Sequence, residues 1–102
     1  MTVALLTSQQ PAEALALGAT WAQAGDDVTV VLLDAATAVL RTGHDHHDDV
    51  TAARSAGVRI WAHHAALVER AIVTPDDIEV EPVDLDAVAT LIGEDDTRVQ
   101  WW

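Results

Sequence analysis

Two continuous apolar runs constrain the fold of this chain more than any other feature: Thr2 to Thr7 (Thr, Val, Ala, Leu, Leu, Thr) and Val28 to Leu33 (Val, Thr, Val, Val, Leu, Leu). A strand with one wet face alternates apolar and polar side chains. A run that is apolar throughout needs cover on both faces, which points to a parallel sheet between helix layers. The segment between the runs reads as a helix. Ser8, Gln9 and Gln10 make a turn, Pro11 suits the first helical position, and Glu13 complements the positive end of the helix dipole. Ala14, Leu17, Trp21 and Ala24 recur at helical spacing, and Gly25 is the expected stop. Gly18 inside that helix costs about 1 kcal/mol relative to alanine, and a close approach of helix to sheet is the expected compensation.

The rest of the chain repeats the alternation. Asp34 closes the second run and is expected to cap a short helical or irregular segment from Ala35 to Leu40. Arg41, Thr42, Gly43, His44, Asp45, His46, His47, Asp48 and Asp49 form the most polar stretch and read as loop, with Asp48 or Asp49 capping a helix from Val50 to Ala56 that Gly57 ends. In the next stretch Val58, Ile60 and Ala62 alternate with Arg59, Trp61 and His63, a third strand that delivers His63 and His64 to a helix N-terminus. Leu67, Val68, Ala71 and Ile72 give that helix its buried stripe, and Thr74, Pro75 and Asp76 break it. Ile78 to Val83 alternates until Pro82, which cannot donate to a ladder and marks a strand end or sheet edge. Asp84 then caps a helix carrying Leu85, Val88, Leu91 and Ile92, Gly93 terminates it, and Thr97 to Trp102 supplies a last short strand. The expectation is one domain over residues 1–102, a three-layer α/β/α fold with a mainly parallel sheet of four to five strands and right-handed crossovers.

Composition narrows the chemistry. A chain of 102 residues buries roughly 65% of its unfolded surface, so it needs no staples. It has no cysteine, which removes disulfides, thiolate nucleophiles and Cys-based zinc sites together. Seventeen acidic residues face five basic ones, all arginine, for a net charge of −12 that repels nucleic acid and anionic membranes. The lack of lysine at this acidity matches proteins adapted to a high-salt cytoplasm, where screening relieves self-repulsion, or else reflects GC-rich codons. With no basic n-region and with Asp34 interrupting the longest apolar run, the expected location is the cytoplasm.

His63 and His64 have three possible roles: metal ligands, a general base, or a helix entry facing solvent. Neighbouring side chains diverge in extended backbone, so a divalent metal would need further ligands, for which His44, His46 and His47 are the obvious supply. No cofactor is otherwise implied. Enzymatic chemistry is disfavoured, since no nucleophile stands beside a base and Ser8, Gln9, Gln10 and Pro11 follow the first strand where a phosphate loop would need glycines. Trp101 and Trp102 either fold back over the sheet edge or anchor a partner, while Trp21 and Trp61 suit internal packing.

The order of these pieces resembles the DsrE/DsrF/DsrH superfamily, and most of all its DsrH (TusB) branch. The landmarks are Val28 to Asp34, the strand Val58, Arg59, Ile60, Trp61, Ala62, the turn Leu67, Val68, Glu69, Arg70, Ala71, Ile72, the helix entry Val83, Asp84, Leu85, Asp86, Ala87, Val88, and the close Val99, Gln100, Trp101, Trp102. In that branch the corresponding places carry a strand ending in Asp-Gly, a Leu-x-x-Arg-Gly-Leu-like turn, a Val-Asp-Tyr-x-x-Phe-like helix entry and a terminal Trp. The resemblance implies an oligomeric α/β protein working in sulfur relay, where relatives carry persulfide on a cysteine inside hexamers of three related subunits. One family cysteine follows the third strand, where this chain has His63, and another lies on the first helix near Gly18. Without a thiol the resemblance implies a subunit that associates with itself or with Cys-bearing DsrE/DsrF-like subunits and does not carry sulfur.

Overall fold

The computed structural model describes residues 1–41, 43–74, 76 and 78–102. Thr42 of the polar loop and the expected helix breaker Pro75 lie outside the described residues. The chain runs β1 (Thr2–Thr7), α1 (Pro11–Gln23), β2 (Asp27–Leu32), a 3-10 segment (Asp34–Leu40), α2 (His47–Ser55), β3 (Arg59–His63), α3 (His64–Glu69), β4 (Glu81–Val83), α4 (Leu85–Ile92) and β5 (Thr97–Trp101). The five strands form one sheet in the order β4-β3-β2-β1-β5, every pairing parallel. This is the expected α/β/α architecture, with Pro82 on an edge strand as its missing donor requires.

The two faces of the sheet are covered unequally. Val3, Leu5, Val28, Val30, Leu32, Ile60 and Ala62 point to the front, where they pack with Ala14 and Leu15 of α1, Val39 and Leu40 of the 3-10 segment, Val50 and Ala53 of α2, and Leu67 of α3. Ala4, Leu6, Val31 and Val83 point to the back and pack under Val88 and Leu91 of α4, with Trp61 and Val99 beside them. The asymmetry follows from topology. Successive right-handed crossovers from β1 to β4 leave their helices on one side, and only the return from β4 to β5 crosses the other.

Helix α1 begins at Pro11 as expected, but its buried line is Ala14, Leu15 and Gly18, while Leu17 and Trp21 are half-buried and Ala24 is exposed beyond the helix. Gly18 sets this rotation. A Cβ there would stand 3.1 Å from Val30 Cγ2 and 3.4 Å from Leu5 Cδ1, so the bare backbone lies on the sheet and larger neighbours move to its flanks. Trp21 ends at one flank, 6.0 Å from the Arg98 guanidinium on β5.

Helices α1, α2 and α3 end in the same hydrogen-bond pattern. The amides two and three residues past each helix bond back to carbonyls of its last turn: Gly25 to Ala22 and Asp26 to Trp21, Gly57 to Arg54 and Val58 to Ala53, Ala71 to Val68 and Ile72 to Leu67. The pattern needs a left-handed residue, supplied by Gly25 and Gly57 at φ 103° and 100° and by Ala71 at φ 52°. The early stop at Ala71 corrects the expected stripe. Leu67 and Ile72 are buried, but Val68 is 65% exposed and Ala71 lies outside the helix.

Two further expectations are corrected at helix starts. Asp34 caps nothing: it sits at φ 49°, and its carboxylate accepts a hydrogen bond from Arg70 Nη2 at 2.8 Å. Helix α2 begins at His47, inside the stretch expected to be loop, so Asp48 and Asp49 lie in its first turn and not at its cap. Asp84 does cap α4, accepting from the Ala87 amide at 2.8 Å.

Candidate functional site

The histidines all lie near the carboxyl ends of the strands, where open parallel sheets bind their ligands. They do not converge. His63 ends β3 in register with Val83, which turns its half-buried side chain to the back face; it is the N-cap residue of α3 and makes no side-chain capping bond. His64 is exposed and lines a front-side groove of about 490 Å³ with Leu67, Val68, Val73 and Pro82. The adjacent imidazoles thus open to opposite sides, as extended backbone dictates.

The loop histidines belong to a different cavity. His44 and His46 wall a concavity of about 510 Å³ whose other side is the turn after β1 and the start of α1: Gln9, Gln10, Ala12 and Glu13. Neither groove brings His63 or His64 together with His44, His46 or His47. Among the described residues no group of three or more His, Cys, Asp or Glu side chains is placed to hold a metal ion.

Local bonding orders the loop pair. The His46 amide donates to His44 Nδ1 at 3.1 Å, which places the proton of a neutral His44 on Nε2. His46 Nδ1 stands 3.1 Å from Asp49 Oδ2, so its N–H donates to the carboxylate, which in the neutral ring leaves the lone pair on Nε2. One ring then offers a donor and the other an acceptor to whatever occupies the cavity. His47 stands apart, its Nδ1 buried without a hydrogen-bond partner among the described residues.

Sequence reasoning placed no weight on Gln9, Gln10 and Glu13. The signal that finds them is topological: they follow β1, the strand that lies between β2 and β5, at the carboxyl end of a parallel sheet, where ligands collect. Trp102 lies over this point. Its amide donates to the Leu6 carbonyl at 2.7 Å and its indole N–H points to Glu13 Oε2 at 3.3 Å. Trp101, in register with Leu6, faces the back and is 66% exposed.

Two of the landmarks that carry the family resemblance meet in space. Arg70 reaches Asp34, and Arg41 Nη2 donates to the Arg70 carbonyl at 2.6 Å, so the end of β2 is tied to the end of α3. Ala71, in the same landmark as Arg70, has the positive φ that favours glycine. Gly18 is buried against Val30, and His63 is half-buried at a strand end.

The fold is similar to those of several solved structures. The ychN protein from E. coli superposes with a TM-score of 0.81 at 15% identity, covering 100% of both chains. MTH1491 from Methanobacterium thermoautotrophicum, a protein of unknown function, superposes with a TM-score of 0.73 at 15% identity, covering 99% of this chain and 97% of its own. No curated protein matches the sequence. The DsrE/DsrF-like family model matches residues 1–101, so the chain belongs to the DsrE/DsrF-like family.

Proposed function

We propose that this chain is a non-catalytic subunit of a sulfur-relay-like assembly, contributing structure and partner binding and no persulfide transfer of its own. One observation carries the reading: a family that resembles persulfide carriers is represented here by a chain with no cysteine. Persulfide transfer requires a thiolate to attack and then leave, and imidazole at His63 cannot be reversibly sulfurated in that exchange. The Gly18 position fits no carrier role either, since a side chain there would press into Val30. Placement in the DsrH branch rests on the sequence landmarks, and the partners we propose are further copies or Cys-bearing DsrE/DsrF-like subunits.

Native mass spectrometry of the chain co-expressed with Cys-bearing family subunits from the same organism tests the reading. The expected result is a defined complex in which sulfur from a labelled donor appears only on the partner. A chain that stays monomeric with every such subunit, at low and high salt, overturns the proposal. Two variants separate position from chemistry: His63→Cys is expected to react with a thiol reagent in the native state, whereas Gly18→Cys is expected to react only on unfolding.

A further inference from the structure

Helix α4 carries two apolar stripes, and only one of them is used. Val88 and Leu91 are buried against the back of the sheet, while Leu85 is 58% exposed, Ile92 is 37% exposed and Ala89 between them is exposed. Leu85, Ala89 and Ile92 stand at i, i+4 and i+7, a seam about 10 Å long that matches the ridge of a second helix. The seam is bounded at both ends by exposed carboxylates: Asp84 and Asp86 at the start of α4, and Glu94, Asp95 and Asp96 after it. None of the five has a salt-bridge partner among the described residues.

The arginines are committed elsewhere. Arg54 bonds Glu79, Arg59 bonds Asp27, Arg70 bonds Asp34, Arg41 bonds the Arg70 carbonyl, and Arg98 lies over Trp21 on the front. A second copy docked through α4 would therefore bring like charges together with no arginine among the described residues free to offset them. The complementary occupant is a basic one.

We infer that the outer stripe of α4 is a docking surface for an amphipathic helix of a partner protein, with apolar anchors against Leu85, Ala89 and Ile92 and Lys or Arg residues flanking them. The inference rests on the assembly reading and names the surface through which that assembly is made.

Isothermal titration of the intact chain against the Cys-bearing subunits, at low and high salt, tests it. The Leu85→Glu, Ile92→Glu double variant is expected to bind at least about tenfold more weakly, because interface energy concentrates in a few apolar anchors. The Asp86→Asn, Asp95→Asn, Asp96→Asn variant is expected to flatten the decline of affinity with salt. Ala89→Arg, a single change at an exposed site, guards against misfolding of the double variant and is also expected to weaken binding. If the complex forms and all three variants bind like the native chain, the surface is wrong while the assembly reading stands. If no complex forms with any subunit, both fall. A homodimer that α4 variants dissociate overturns the basic-partner assignment.

Discussion

The front of the sheet lies under four helical segments and the back under a single helix of eight residues, yet β1 contributes equally buried leucines to both. Leu5 is 0% exposed on the front and Leu6 is 1% exposed on the back. The surroundings differ more than the burial. Leu5 is held between β2 and the backbone of α1, with Gly18 close enough that an added Cβ would touch it at 3.4 Å. Leu6 is covered by α4 alone and stands in register with the exposed Trp101. Equal burial in unequal surroundings teaches that the back face is sealed but lightly reinforced. The proposed partner helix would add a second layer there.

The largest expected effect tests that contrast directly. Leu5→Ala should lower unfolding free energy by about 4 kcal/mol, and Leu6→Ala by about 2.5 kcal/mol, because a cavity under one short helix collapses more easily than one locked beneath α1. Urea denaturation of the two variants gives the difference. Equal losses would mean that both faces are equally rigid, and would break the comparison. Adding the proposed partner should raise the stability of the native chain and widen the cost of Leu6→Ala, since the back would then be packed from both sides.

Much of this architecture was legible because it rests on local chemistry. The run Thr2 to Thr7, the Pro11 start, the stops at Gly25 and Gly57 and the cap at Asp84 each depend on a residue and its immediate neighbours. What sequence did not convey depended on depth and direction. The buried line of α1 shifts from Leu17 and Trp21 to Leu15 and Gly18 because close approach, and not mere apolarity, decides which side meets the sheet. The early end of α3 was hidden because alanine is the best helix former, while the backbone bonds that close the helix at Val68 and Leu67, with Ile72 and Leu67 both buried, go with a left-handed Ala71. The candidate histidines were correctly drawn to the strand ends, but which of them share a cavity is set by the face to which each connection departs. No spacing in the chain encodes that.

Two changes of intermediate size probe the helix ends on either face. On the back, Asp84→Ala removes the cap bond of α4, the one helix that covers this face among the described residues, and should cost about 1 kcal/mol. Because α4 has no neighbour on that face, hydrogen exchange should also quicken at the amides of Val88 and Leu91, while those of α1 keep their protection. On the front, Ala71→Gly relieves a left-handed alanine and should raise stability by about 1 kcal/mol, less whatever glycine loses through the unfolded chain. A loss from Ala71→Gly in thermal melts would show that the strained turn is not what limits α3.

The smallest effect belongs to the polar margin of the back face. Arg59 on β3 bonds the Asp27 carboxylate on β2 at 3.1 Å, with the two side chains 52% and 61% exposed. An ion pair this wet holds two side chains in place for little Coulomb gain, so Asp27→Asn should change stability by about 0.5 kcal/mol or less, and by less still in high salt. Matched urea curves at low and high ionic strength measure it. A change well above that, unaffected by salt, would mean that the margin is drier than its exposure indicates. The light reinforcement of the back would then owe as much to its rim as to α4.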